Sequence, residues 1–123
     1  MKARLLIVDD EKDFLDIMAE RIRTRGMDVS TATSAEKALS MIRKETYDVV
    51  IMDFLMPEMD GFKDLKLFKE TRPDLQIILL TANVREEECN AARKLGAMDI
   101  IEKPADLNLL TQRIEEARAL KNK

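Results

Sequence analysis

The sequence predicts a single α/β domain: a five-stranded, doubly wound parallel sheet with helices on both faces. Three observations predict it. Short apolar runs alternate with helical patterns five times along 123 residues, with short connections between them, and strands joined through helices pair in parallel. The run at 48–52 is almost continuously apolar, as expected of a strand covered on both faces. Three of the runs also close on charge: Leu5-Leu6-Ile7-Val8 on Asp9-Asp10, Val49-Val50-Ile51-Met52 on Asp53, and Ile100-Ile101 shortly before Lys103-Pro104. Open α/β sheets place their sites at that carboxyl edge.

Each element has its own signature. Residues 4–8 form the first strand. Phe14, Ile17, Met18 and Ile22 then fall on one helical face, and Gly26 ends that helix as a left-handed cap. Residues 28–31 are short and more polar, which predicts an edge strand. Ser34 is a good N-cap for a helix with a buried stripe of Ala35, Ala38, Leu39 and Ile42. After the strand at 48–52, Phe62, Leu65 and Phe68 mark a third helix, stopped before Pro73. Residues 76–80 give the fourth strand. Asn83 with Glu86 three residues later resembles a capping box for a helix that runs to a cap at Gly96. Residues 98–101 are the fifth strand. Beyond Pro104, Leu107, Leu110, Ile114 and Ala117 define the last amphipathic helix. No linker, repeat or low-complexity segment stands out, and 121–123 reads as a frayed end or the stub of a linker.

Composition narrows the function. Apolar residues at 46% and charged residues at 37% suit one soluble globular core with a well-solvated surface. The formal net charge is −3 with acids and bases interleaved, which argues against direct nucleic-acid binding. A single cysteine, Cys89, excludes an internal disulfide framework and fits a reducing compartment. The complete lack of histidine removes histidine bases, ligands and phosphocarriers. The N-terminal apolar run is too short for a signal peptide or membrane span, so cytoplasmic residence without membrane association is the expectation. The eight methionines read mostly as core filling, with Met56 and Met59 the exceptions, and Cys89 reads as packing.

Five residues carry candidate chemistry. Asp53, the carboxylate that follows a buried strand, suits a nucleophile toward a phosphoryl group; an Asp that opens the Pro57- and Gly61-containing loop is the alternative. Adjacent Asp9 and Asp10 repel unless a cation lies between them, and magnesium favours such oxygen ligands. A solvated helix-entry turn is the competing reading. Lys103 would neutralise phosphoryl oxygens, or be an ordinary surface lysine. Thr81, after the fourth strand, could donate to a phosphoryl oxygen or cap a turn.

Taken together, the chain resembles a two-component response-regulator receiver domain, of the superfamily of the chemotaxis receiver, over essentially its whole length. The matching pieces are Leu6-Ile7-Val8-Asp9-Asp10-Glu11, Asp53-Phe54-Leu55-Met56-Pro57 with Met59-Asp60-Gly61, Leu80-Thr81-Ala82, Leu95-Gly96-Ala97 and Lys103-Pro104. The resemblance implies a flavodoxin-like sheet in order 2-1-3-4-5. It implies that Asp53 accepts a phosphoryl group from the phosphohistidine of a sensor histidine kinase or histidine phosphotransfer protein. Asp9, Asp10, Asp53 and the backbone carbonyl of Leu55 would bind Mg2+, with Mn2+ an alternative. Lys103 would contact the phosphoryl group, with a cis peptide into Pro104, and Thr81 would move toward it. The implied output is a changed partner surface around the fourth helix, fifth strand and fifth helix. Such a domain transfers phosphate to and from its own Asp53 and is no conventional turnover enzyme.

One departure and two alternatives complete the reading. Receivers often place Tyr or Phe three residues before the lysine, and Ile100 stands there. The usual threonine–aromatic coupling is therefore replaced, on this reading, by rearrangement of residues 82–90 and the fourth helix. Leu55 and Asn83 match positions that tune hydrolysis. Residues 1–123 read as one receiver with no output domain in the chain, either acting alone through an effector protein or cut from a longer regulator. The alternatives are a binding module that never uses the acceptor and, less favoured, a magnesium-dependent Asp-nucleophile phosphohydrolase. Arg113, Glu115, Glu116 and Arg118 could make symmetric salt bridges in a phosphorylation-dependent homodimer, or form a solvated helix face.

Overall fold

The computed structural model describes residues 3–53, 61–82 and 85–121. The elements in chain order are β1 (Arg4–Val8), α1 (Lys12–Arg23), β2 (Asp28–Ala32), α2 (Ala35–Lys44), β3 (Val49–Asp53), α3 (Gly61–Thr71), β4 (Gln76–Thr81), α4 (Glu86–Lys94), β5 (Asp99–Glu102) and α5 (Leu107–Lys121). The sheet is fully parallel in order β2-β1-β3-β4-β5, so β2 is an edge strand as its polarity predicts.

Alternation along the strands builds one core on each face. Leu6, Val8, Val50, Met52, Ile77 and Leu79 meet α2, α3 and α4 through Ala38, Ile42, Leu65, Phe68 and Ala92. Leu5, Ile7, Val49, Ile51, Ile78 and Leu80 meet α1 and α5 through Leu15, Ala19, Ile22, Leu110, Ile114 and Ala117. Both faces of the central strands are sealed, so a continuous apolar run is what they require.

Local signals hold in most places. The Ser34 hydroxyl accepts from the Lys37 amide at 3.1 Å, the N-cap expected of it. Met27 and Met52 are buried, and Met18, Met41 and Met98 pack against the cores; Met56 and Met59 lie outside the described residues. Two expectations fail. The buried stripe of α1 is Leu15, Ala19 and Ile22, whereas Ile17 is 53% exposed. The 15/19/22 spacing lets small Ala19 bring the helix close to the sheet, which turns the 14/17 stripe to its flank. The capping box at Asn83 also fails as drawn: the N-cap of α4 is Arg85, with no side-chain cap bond. Glu86, Glu87 and Glu88 place negative charge on its first turn instead. Asn83 itself lies outside the described residues.

At the amino edge of the sheet the chain is tied by polar contacts. The Arg4 amide donates to Asp48 Oδ2 at 2.9 Å, and its guanidinium donates to the Thr46 carbonyl at 3.0 Å. The same group lies 5.3 Å from the Tyr47 ring centre, and the Tyr47 hydroxyl donates to Glu45 at 2.9 Å.

Two glycines differ in what they require. Gly26 has φ +86° with open space where a Cβ would point. Gly96 has φ +108°, and a Cβ there would lie 3.0 Å from Cγ and Cε of Lys69. Lys69 is not free to yield, because its ammonium donates to the carbonyls of Pro73 and Leu75 at 2.9 and 2.8 Å. Gly96→Ala is expected to lose roughly 2 kcal/mol and Gly26→Ala roughly 1 kcal/mol. Urea unfolding of the two variants checks the ranking, and equal losses would show that the Lys69 stem moves aside freely.

Candidate functional site

Strand register assembles the site before any side chain is considered. Val8 pairs with Met52, Asp53 with Leu80, and Thr81 with Glu102. Asp9, Asp53, Thr81 and Lys103 therefore emerge at the carboxyl ends of four strands that are neighbours in space, β1, β3, β4 and β5. The Lys103 amide donates to the Thr81 carbonyl at 2.7 Å, which locks the last two together. The Lys103–Pro104 peptide is cis, as expected.

The side chains converge. The Lys103 ammonium donates to Asp53 Oδ2 at 2.6 Å and lies 3.5 Å from Asp9 Oδ2. Asp9 is only 2% exposed; its Oδ1 accepts from the Glu11 amide at 2.9 Å, and its own amide donates to the Ala32 carbonyl at 3.1 Å. Asp10 is exposed beside it. Carboxylate oxygens of Asp9, Asp10 and Asp53 all lie within 4.8 Å of one another. Three hard oxygen donors, one partly solvated, fit a divalent cation such as magnesium, which keeps several waters and takes few protein ligands. Thr81 is buried at 3% exposure.

The electrostatics follow from this crowding. Burial raises the Asp9 carboxyl above its usual range; the Glu11 amide and Lys103 pull it down, and Asp53 pushes it up again. Burial works to lower the Lys103 ammonium, but its hydrogen bond and attraction to Asp53, with those of Asp9, outweigh it and raise the group.

Thr81, Lys103, Asp9, Asp10 and Asp53 thus come together as the sequence anticipates. Leu55 and Asn83 lie outside the described residues. Ile100 is half-buried and lines a small cavity of ≈ 10 Å³ with Leu79, Thr81, Cys89 and Ala92, about the size of one water probe. Cys89 is buried there, as packing requires. Arg113 pairs within the chain with Asp99 at 3.1 Å and Glu116 at 3.0 Å, and Arg118 with Glu115 at 3.5 Å. The sequence reading missed one participant: the Lys103 ammonium lies 4.8 Å from the centre of the Phe14 ring. The available hint was its place in the first turn after the acidic pair, on a helix that begins at the carboxyl edge.

Three comparisons bear on this site. Residues 5–115 match the family model described as the response regulator receiver domain. The chain is 36% identical over 118 residues to the transcriptional regulatory protein ZraR of Salmonella typhimurium, covering 96% of this chain and 27% of that protein. It is 37% identical over 110 residues to the response regulator SaeR of Staphylococcus aureus, covering 89% and 48%. The chain therefore spans between a quarter and a half of those relatives. A CheY-like receiver domain protein from Methanospirillum hungatei superposes with a TM-score of 0.92 at 27% identity, covering 99% of this chain and 98% of that one. No described helix is long and apolar enough to cross a membrane.

Because the folded state raises the Asp9 carboxyl above its unfolded value, ionising it opposes folding. Metal-free stability should fall as pH rises from the ordinary carboxylate range through the raised one, then level off. Asp9→Asn removes this penalty and keeps an acceptor for the Glu11 amide. In chelator at neutral pH it should melt roughly 2–4 °C higher than wild type, with the advantage gone below the carboxylate range. Thermal melts across pH check this, and a lower melting point for the variant at neutral pH would refute it.

Proposed function

Since the chain belongs to the response-regulator receiver family, we propose that it is a phosphorylation-dependent signalling switch whose acceptor is Asp53. The single observation that carries this reading is the Lys103–Asp53 contact of 2.6 Å beside the clustered carboxylates of Asp9 and Asp10. An isolated structural salt bridge would not require two further acids within the same few ångströms.

The chain's residues divide the work. Asp9, Asp10 and Asp53, with the Leu55 carbonyl, would hold Mg2+ or Mn2+, which when bound supplies positive charge against the phosphoryl oxygens. Lys103 fixes Asp53 by its hydrogen bond and presents its charge where the incoming oxygens gather. An Asp53 oxygen attacks phosphorus in line. The P–N bond of the donor phosphohistidine breaks, its electron pair leaves on the imidazole, and that nitrogen takes a proton from solvent. The product is an aspartyl phosphate at the sheet edge. Leu55 and Asn83 set its lifetime: Leu55 cannot orient a water, whereas the Asn83 amide can.

Conversion of the mark into output rests on differential contact. Thr81 and Lys103 gain a phosphoryl oxygen in only one of two conformations, and that difference shifts the population. With Ile100 in place of an aromatic ring, the shift runs through residues 82–90 and α4, whose N-terminus has no side-chain cap. The donor is a sensor histidine kinase or histidine phosphotransfer protein. The readout is an effector protein, or a second copy, on the surface of α4, β5 and α5. A dimer there would exchange the intrachain partners of Arg113 and Arg118 for those of its mate. Any DNA-directed activity would belong to a longer protein that carries this domain.

Incubation with magnesium and acetyl phosphate, followed by intact mass measurement, tests the reading. One phosphoryl adduct is expected, dependent on magnesium and absent from Asp53→Asn. No adduct under conditions that label a control receiver would overturn it in favour of a binding module. Amide exchange supplies a second expectation: labelling should change protection across residues 85–94 while β4 and β5 keep theirs. Identical exchange of α4 before and after labelling would remove it as the readout element.

A further inference from the structure

Phe14 occupies the first turn of α1, four residues after Asp10, and its ring faces the Lys103 ammonium at 4.8 Å from the ring centre. Phe14 also lines a largely apolar groove of about 200 Å³ with Met18, Arg21, Pro104, Ala105 and Leu107. The ring therefore joins the groove lining to the cation that pairs with Asp9 and Asp53.

A cation over an aromatic face is attracted by the ring quadrupole. This attraction differs in kind from the two carboxylate contacts of Lys103. Those contacts change whenever the acids gain a proton, a metal ion or a phosphoryl group. The ring is neutral, and its own charge distribution does not change with any of these states. It also offers no oxygen that would compete with a phosphoryl group for the N–H donors of lysine. A lysine stem is long and flexible, and ordering it has an entropic cost. A ring that restrains the head group in advance leaves less to be ordered when the phosphoryl group arrives.

We propose that Phe14 is a positioning residue for phosphoryl transfer, acting through Lys103 by holding its ammonium between the acidic cluster and the α1 surface. The proposal rests on Asp53 being the acceptor. It predicts that aromaticity at position 14 matters, beyond apolar volume alone.

The test uses Phe14→Leu, which keeps the site apolar, and Phe14→Tyr, which keeps the ring. Two quantities are measured: the rate constant of Asp53 labelling by acetyl phosphate at saturating magnesium, and the NMR shift of the Lys103 ε-methylene protons. A ring face over the lysine head moves those protons upfield. Phe14→Leu should label about two- to fivefold more slowly and lose the upfield shift, and Phe14→Tyr should restore both. A general packing defect would slow labelling in both variants alike and would overturn the proposal. So would a Phe14→Leu protein that labels at the wild-type rate, or Lys103 protons that do not move. A wild-type protein that never labels overturns the acceptor reading itself, and the positioning role with it. A labelled wild type beside an unaffected Phe14→Leu overturns only the role of the ring.

Discussion

The constraint on which the rest of this structure depends is charge balance at the carboxyl edge of the sheet. One ammonium, Lys103, sits 2.6 Å from one carboxylate and 3.5 Å from another, with a third close by. Such a cluster is tolerable only where a rigid frame holds it, because each acid disfavours ionisation of the next. The parallel sheet is that frame. The four strands that carry the site, β1, β3, β4 and β5, end together, and close packing of the two cores against the sheet holds them in register.

Much of this was legible in the chain for a physical reason. A strand buried on both faces must be apolar throughout, so a charge at its end is conspicuous. Asp9 and Asp53 close such runs, Lys103 comes just after the shorter apolar pair Ile100-Ile101 of edge strand β5, and all three meet at the carboxyl edge. Caps with a local mechanism were equally readable, as Ser34 and the positive-φ glycines Gly26 and Gly96 show. The spatial order of the strands was not derivable from periodicity, and it entered through family resemblance.

The failures share a cause: they concern which side of an element faces what. In α1 the sequence offers two overlapping apolar stripes, and helical periodicity alone does not choose between them. Close packing against the sheet chooses the stripe with Ala19. That rotation carries Ile17 to the surface and sets Phe14 beside a residue 89 positions away in sequence. An aromatic–ammonium contact has no sequence signature, because nothing local distinguishes that phenylalanine from an ordinary core residue. At α4 the start of the helix depends on loop geometry that a four-residue motif does not fix.

The polar ties of Arg4, Asp48, Tyr47 and Glu45 lie at the amino ends of the strands, with the pocket at the carboxyl ends. A five-residue strand is about 16 Å long, well beyond the range at which substitutions interfere energetically. The amino edge can therefore tune firmness at a distance from the chemistry. Sequence drift among the amino-edge ties can raise or lower the melting point and leave the geometry of the pocket unchanged. The reverse does not hold, because the buried Asp9 carboxyl ties the charges of the pocket to stability. A fold divided in this way leaves one end of the sheet open to adjustment while the other keeps its charges in place.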